Sequence, residues 1–99
     1  MPQDPLKVDS KHYTVEAEND KVRVLRIRYG PREKSVMHFH PAGIAVAITE
    51  GHIRFGFPDG KSEELHMTPG QVLATPAGDH LPENLGDKPL EVVLVEVKG

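Results

Sequence analysis

Ninety-nine residues leave room for one domain with one core and argue against two-domain or repeat architectures. Hydrophobic residues make up 37% and charged residues 27%, too apolar for a disordered segment and too polar for a membrane protein. Twelve Lys and Arg against fifteen Asp and Glu give a net charge of −3, and the basic residues are scattered, so neither nucleic acid nor a membrane is expected as a partner.

The absence of cysteine excludes disulfide frameworks, thiolate metal sites and cysteine nucleophiles together. Any metal must therefore bind nitrogen or oxygen. Met1-Pro2-Gln3-Asp4-Pro5 has no basic stretch leading into an apolar one, and no apolar run approaches the length of a membrane span. A cytoplasmic location is the expectation. A chain this short buries only about 60 to 65% of its unfolded surface as a monomer, so a homodimer is expected.

Along the chain, Asp9-Ser10-Lys11-His12-Tyr13 is at most a short turn leading into Thr14-Val15-Glu16, and Asn19-Asp20 is a turn signal. No residue of this N-terminal region is assigned a chemical role. Nine Gly and nine Pro then punctuate the chain too often for a three-turn helix after residue 29. Between them lie runs rich in Val, Ile and Phe: 22–29, 44–49, 52–57, 64–67, 71–75 and 90–97, which read as strands. Ile53, Phe55 and Phe57 share one face, with His52 and Arg54 on the other. Residues 44–48 are apolar on both faces, as in a central strand, and 90–97 are so apart from Glu91 and Glu96. Pro58-Asp59-Gly60-Lys61 closes a hairpin, because Pro presets φ and Gly accepts a positive one. Short strands at this spacing predict an all-β antiparallel sandwich or barrel.

Chemistry is carried by the histidines. His38-Phe39-His40 puts two imidazoles on one face of a strand, roughly 6.5 to 7 Å apart, from where two rotamers can reach one metal. Random placement of six histidines yields roughly 0.3 such pairs, so on this pair alone ligand and surface readings are about even. His52 and His66 lie opposite apolar faces and read as solvent-facing, and His12 reads as surface. Met37, Phe39, Phe55, Phe57 and Met67 read more readily as core than as substrate lining.

The surroundings carry a resemblance. Gly30, His38, His40 and Gly51, followed by Gly70, Pro76, Gly78, His80 and Asn84, fall in the order of the two motifs of the cupin superfamily, across residues 30–84. The resemblance implies a double-stranded β-helix (cupin or jelly-roll) barrel of about eight to ten short antiparallel strands, with residues 1–20 as an N-terminal segment joining the barrel or a dimer edge and 21–99 as the barrel itself. It implies His38, His40 and His80 as ligands of one divalent transition metal, Fe, Zn, Ni, Cu or Mn.

Three departures stand out. The loop from Gly30 to His38 is longer than the usual motif, and Gly78 to His80 is one residue shorter. More important, the position of the family's glutamate ligand falls on Ile44, or on Ala45 at the alternative spacing, so no fourth protein ligand is supplied there. If the pleat ran on past Pro41 and Gly43, residue 44 would share the parity of 38 and 40, so Ile44 and Val46 are expected to line the pocket. A neutral three-histidine shell leaves the metal its full charge and favours anionic chelating ligands.

Glu50, Asp79 and Glu83 read as solvated carboxylates, Asn84 as a turn-holding residue, and Arg26 and Arg28 as a solvated or dimer-edge pair that could alternatively grip a carboxylate. The resulting expectation is a metal-binding cupin of unassigned substrate, a dioxygenase, lyase or isomerase on a small oxygenated molecule. The alternatives are a binding or sensor module without catalysis and a metal-free structural cupin.

Overall fold

Turn-forming residues at short intervals cut the chain into strands that cannot bury an apolar face singly, so they pair into two facing sheets. The computed structural model describes residues 3–99; Met1 and Pro2, the first residues of the 1–20 segment, lie outside the described residues. The elements are α1 (Pro5–Val8), β1 (Tyr13–Glu18), β2 (Val22–Tyr29), β3 (His38–His40), β4 (Gly43–Ala47), β5 (Gly51–Gly56), β6 (Ser62–Met67), β7 (Val72–Thr75), β8 (Gly78–Asn84) and β9 (Leu90–Val97). A five-stranded sheet runs β1-β2-β9-β4-β7 and a four-stranded sheet runs β3-β8-β5-β6. All pairings are antiparallel, giving the double-stranded β-helix barrel expected from the sequence. No helix of the described residues is long and apolar enough to cross a membrane.

The core lies between the sheets, with Tyr13, Leu25, Ile27, Tyr29, Ala47, Leu90 and Leu94 from one side and Ile53 and Met67 from the other. The strands over 22–29 and 90–97 have the bounds read from the sequence, and β4 is interior, between β9 and β7. Both turns form as read. Phe57 and Lys61 are joined by a 2.9 Å backbone bond around Gly60 at φ 86°, and the Asn19 side chain accepts from the Lys21 and Val22 amides. Asn84 likewise holds its loop, donating to the Gly30 and Lys88 carbonyls and accepting from Gly86.

Three expectations are corrected. The segment from Tyr13 is a full six-residue strand, because Tyr13 supplies the buried anchor that pairs it with β2. His12 is buried: its Nδ1 meets the Asp9 carboxylate at 2.8 Å, its Nε2 lies 3.2 Å from Glu33 and its ring packs on Tyr29. Ile44 and Val46 do not line the cavity, and Ile44 is 41% exposed. The reason is topological. β3 and β4 belong to different sheets, so the alternation resets in the intervening turn, and Gly43, Ala45 and Ala47 face inward instead.

Candidate metal centre

β3 brings His38 and His40 to the interior from one sheet, and its antiparallel partner β8 sets His80 directly opposite His38. The two histidines of one motif and the single histidine of the other thus become neighbours through strand pairing. One nitrogen from each of the three rings lies within 4.8 Å of the others. His38 and His40 are buried and His80 is half-buried, with Phe55 stacked on the His80 ring at 5.1 Å.

The hydrogen bonds fix the tautomers. His38 Nδ1 donates to the Val36 carbonyl at 2.8 Å, and His40 Nδ1 donates to Glu96 Oε2 at 2.5 Å. In its neutral form each ring therefore turns an Nε2 lone pair inward, and the two Nε2 atoms stand 3.0 Å apart. Two lone pairs at that distance repel unless a proton or cation lies between them. Among the described residues, His80 Nε2 is buried and makes no hydrogen bond. Converging, unprotonated imidazole nitrogens are the donor set that a divalent transition metal takes, and their outward nitrogens are held by a carbonyl and a carboxylate as such ligands require.

Electrostatics favour the neutral imidazoles. Burial, reinforced by the neighbouring rings, pushes His38 down to about 4 and His80 down to about 3, so both carry free lone pairs at neutral pH. Burial pushes the Glu96 carboxyl up, but hydrogen bonds from His40 and Arg23 outweigh it and hold it below its ordinary value. Arg23 completes the ion pair with Glu96 at 2.7 Å and also reaches Asp4.

Beside the histidines lies a cavity of about 460 Å³. His40, His80, Tyr13 and Tyr29 form its polar side, and Ile53, Phe55, Leu73, Val92 and Leu94 are among its apolar walls. The cavity's size is that of a small-molecule pocket.

His38, His40 and His80 are the residues picked out by sequence, and the fold brings all three together. His52 and His66 instead stack on each other at 4.0 Å on the far face of β5 and β6. Arg26 and Arg28 pair with Glu91 outside the cavity. Glu50 and Asp79 are exposed and Glu83 is half-buried. Two participants escaped the sequence reading. Glu96 shares the inward parity of Leu90, Val92 and Leu94, and a charge on that apolar face was its available signal. Tyr13, whose hydroxyl lies 3.0 Å from His38 Nε2, sits in the segment given no role, and nothing local to it marks a site.

A family model described as "Cupin domain" matches residues 25–96. A solved cupin domain from Bordetella pertussis Tohama I superposes with a TM-score of 0.81 at 28% identity, covering 88% of this chain and 92% of that one. An RmlC-like cupin family protein with a double-stranded β-helix fold from Methanocaldococcus jannaschii gives 0.66 at 19% identity, over 90% and 83%. An uncharacterised conserved protein with a double-stranded β-helix domain from Klebsiella pneumoniae gives 0.69 at 22%, over 88% and 76%. The last two speak to the fold alone. No match is found among curated proteins.

Proposed function

The chain belongs to the cupin domain family, and on that premise we propose that it holds one divalent transition metal through His38, His40 and His80 and takes a small oxygenated molecule into the adjoining cavity. The observation that supports this most directly is the 3.0 Å approach of two Nε2 atoms whose rings have already spent their Nδ1 protons on Val36 and Glu96. A metal held there would supply Lewis-acid or redox chemistry.

The chain's own residues define what that chemistry meets. Val36 and Glu96 lock the ring orientations, Phe55 covers one face of His80, and most of the cavity wall is apolar. The carboxylates among the lining residues, Glu63, Glu64 and Asp79, are solvent-exposed, and Glu96 is occupied by His40 and Arg23. With no free buried carboxylate among the lining residues to serve as a base, the arrangement favours redox or Lewis-acid chemistry, as in a dioxygenase or in a lyase or isomerase whose metal polarises the substrate, over hydrolysis.

The test is elemental analysis of untagged protein beside His38→Ala and His80→Ala variants. A near-stoichiometric transition metal in the wild type, lost from both variants, is expected, and its identity directs the assay: oxygen consumption for iron, lyase and isomerase substrates for zinc or nickel. A protein that takes up no metal even after reconstitution overturns the reading. A loaded protein that retains small molecules without turning them over is a binding or sensor module.

We further propose a homodimer through the outer face of the five-stranded sheet. Ile44, Val72 and Val97 are 41%, 62% and 52% exposed there, and Val46, Val93 and Val95 continue the same face across β4 and β9. The neighbouring arginines are neutralised by Glu16 and Glu91, so a second copy would meet an apolar surface without unpaired charge.

A further inference from the structure

Tyr13 and Tyr29 are both essentially buried, and their hydroxyls are 2.5 Å apart. Each carries one proton, and the direction of the hydrogen-bond chain is determined by its end. His38 Nδ1 gives its proton to Val36, so Nε2 can only accept. Tyr13 therefore donates to His38 Nε2, 3.0 Å away, and Tyr29 donates to the Tyr13 oxygen. Both tyrosines also line the cavity with His40 and His80.

That arrangement has a consequence for ligand choice. The acceptor of the Tyr13 proton is the lone pair that a metal would use. Once that lone pair is committed to a cation, a buried O–H is left without its acceptor, which is costly until another acceptor arrives. The group positioned to relieve it is one bound in the cavity that Tyr13 lines together with His40 and His80.

We propose that Tyr13, held in place by Tyr29, is the hydrogen-bond donor to an anionic ligand taken up at the His38, His40 and His80 centre, and that it selects anions with an oxygen or nitrogen acceptor, such as carboxylates and enolates, over neutral apolar molecules. This rests on the metal reading above. It gives Tyr13 a role in ligand selection and none in holding the metal.

The test uses copper(II)-loaded full-length protein titrated with sodium azide and followed by visible absorption. Tyr13→Phe is expected to keep one copper per chain while binding azide about 10- to 100-fold more weakly, the range of a hydrogen bond to a charged acceptor. Azide affinity within twofold of wild type overturns the proposal. So does a folded Tyr13→Phe protein that no longer holds copper, because the phenol would then be a ligand. Should Tyr13→Phe fail to fold, Tyr29→Phe decides: loss of the donor that polarises Tyr13 is expected to weaken azide about threefold, and an unchanged affinity overturns the proposal. A wild-type protein that takes up no copper sinks the metal reading first and this inference with it, whereas a loaded protein indifferent to Tyr13 sinks the inference alone.

Discussion

Glu96 accepts the Nδ1 proton of His40 at 2.5 Å across a sequence separation of 56 residues, so the last strand of the barrel dictates which nitrogen of a β3 histidine faces the cavity. Arg23 holds the other Glu96 oxygen at 2.8 Å and keeps the carboxylate charged. Replacing Glu96 by Gln is expected to weaken metal binding about 10- to 100-fold, the usual effect of losing a carboxylate behind a ligating imidazole. Competition with a chromophoric chelator measures this, and affinity equal to wild type would show that His40 needs no such support.

Metal should also raise thermal stability, because the centre exists only in the folded chain. At a metal concentration about 100 times Kd the folded state gains about 2.7 kcal/mol, equivalent to a rise in Tm of about 10 to 20 °C for a domain of this size. Differential scanning fluorimetry with and without metal checks it. The rise is expected to vanish in His38→Ala and His80→Ala.

Acid sensitivity of the metal-free protein follows from the buried imidazoles. Their folded values, about 4 for His38 and about 3 for His80, lie below the ordinary 6.5. As pH falls below 6.5 the unfolded chain takes up protons that the folded chain refuses, so stability is full above that value and is lost progressively down to about 3. Glu96, held below its ordinary 4.5, adds a further loss below that pH. Urea midpoints between pH 7 and 4 are expected to fall with a shallower slope in His80→Gln than in wild type, and equal slopes would show that His80 is not held neutral.

Ile44→Glu separates two surfaces. Because residue 44 points away from the cavity, the substitution is expected to leave metal affinity within about threefold of wild type while placing a charge on the apolar outer sheet face. If the proposed homodimer forms, light scattering coupled to size exclusion should find a dimer for wild type and a monomer for Ile44→Glu. A tightened metal affinity would mean that Ile44 does face the centre.

Gly43 of β4 stands opposite Glu96 of β9. A Cβ there would lie 2.1 Å from the Val95 carbonyl oxygen, a backbone atom that cannot rotate away. Gly43→Ala is expected to destabilise the fold by about 1 to 3 kcal/mol, read from urea unfolding of the metal-free protein.

Much of the barrel was legible in the sequence because its strands signal locally. Val22–Tyr29 and Leu90–Val97 were read at their observed bounds from β-branched content and flanking turns, and the Pro58–Lys61 hairpin from the residues its φ angles require. The three histidines were legible as well, through the spacing of His38 and His40 and the motif around His80. β1 was missed since Tyr13–Glu18 is a largely exposed strand whose burial rests on one residue, which leaves no alternation to read.

By itself, then, the sequence determined most of the strand-and-turn pattern, the three candidate histidines and the family, all of which depend on neighbours along the chain. Tertiary structure alone decided which face of β4 turns inward, because parity resets when the chain crosses from one sheet to the other. It alone brought Glu96 behind His40 and Tyr13 beside His38, since those contacts depend on how strands from opposite ends of the chain register across the barrel, and no residue near either one in sequence encodes it.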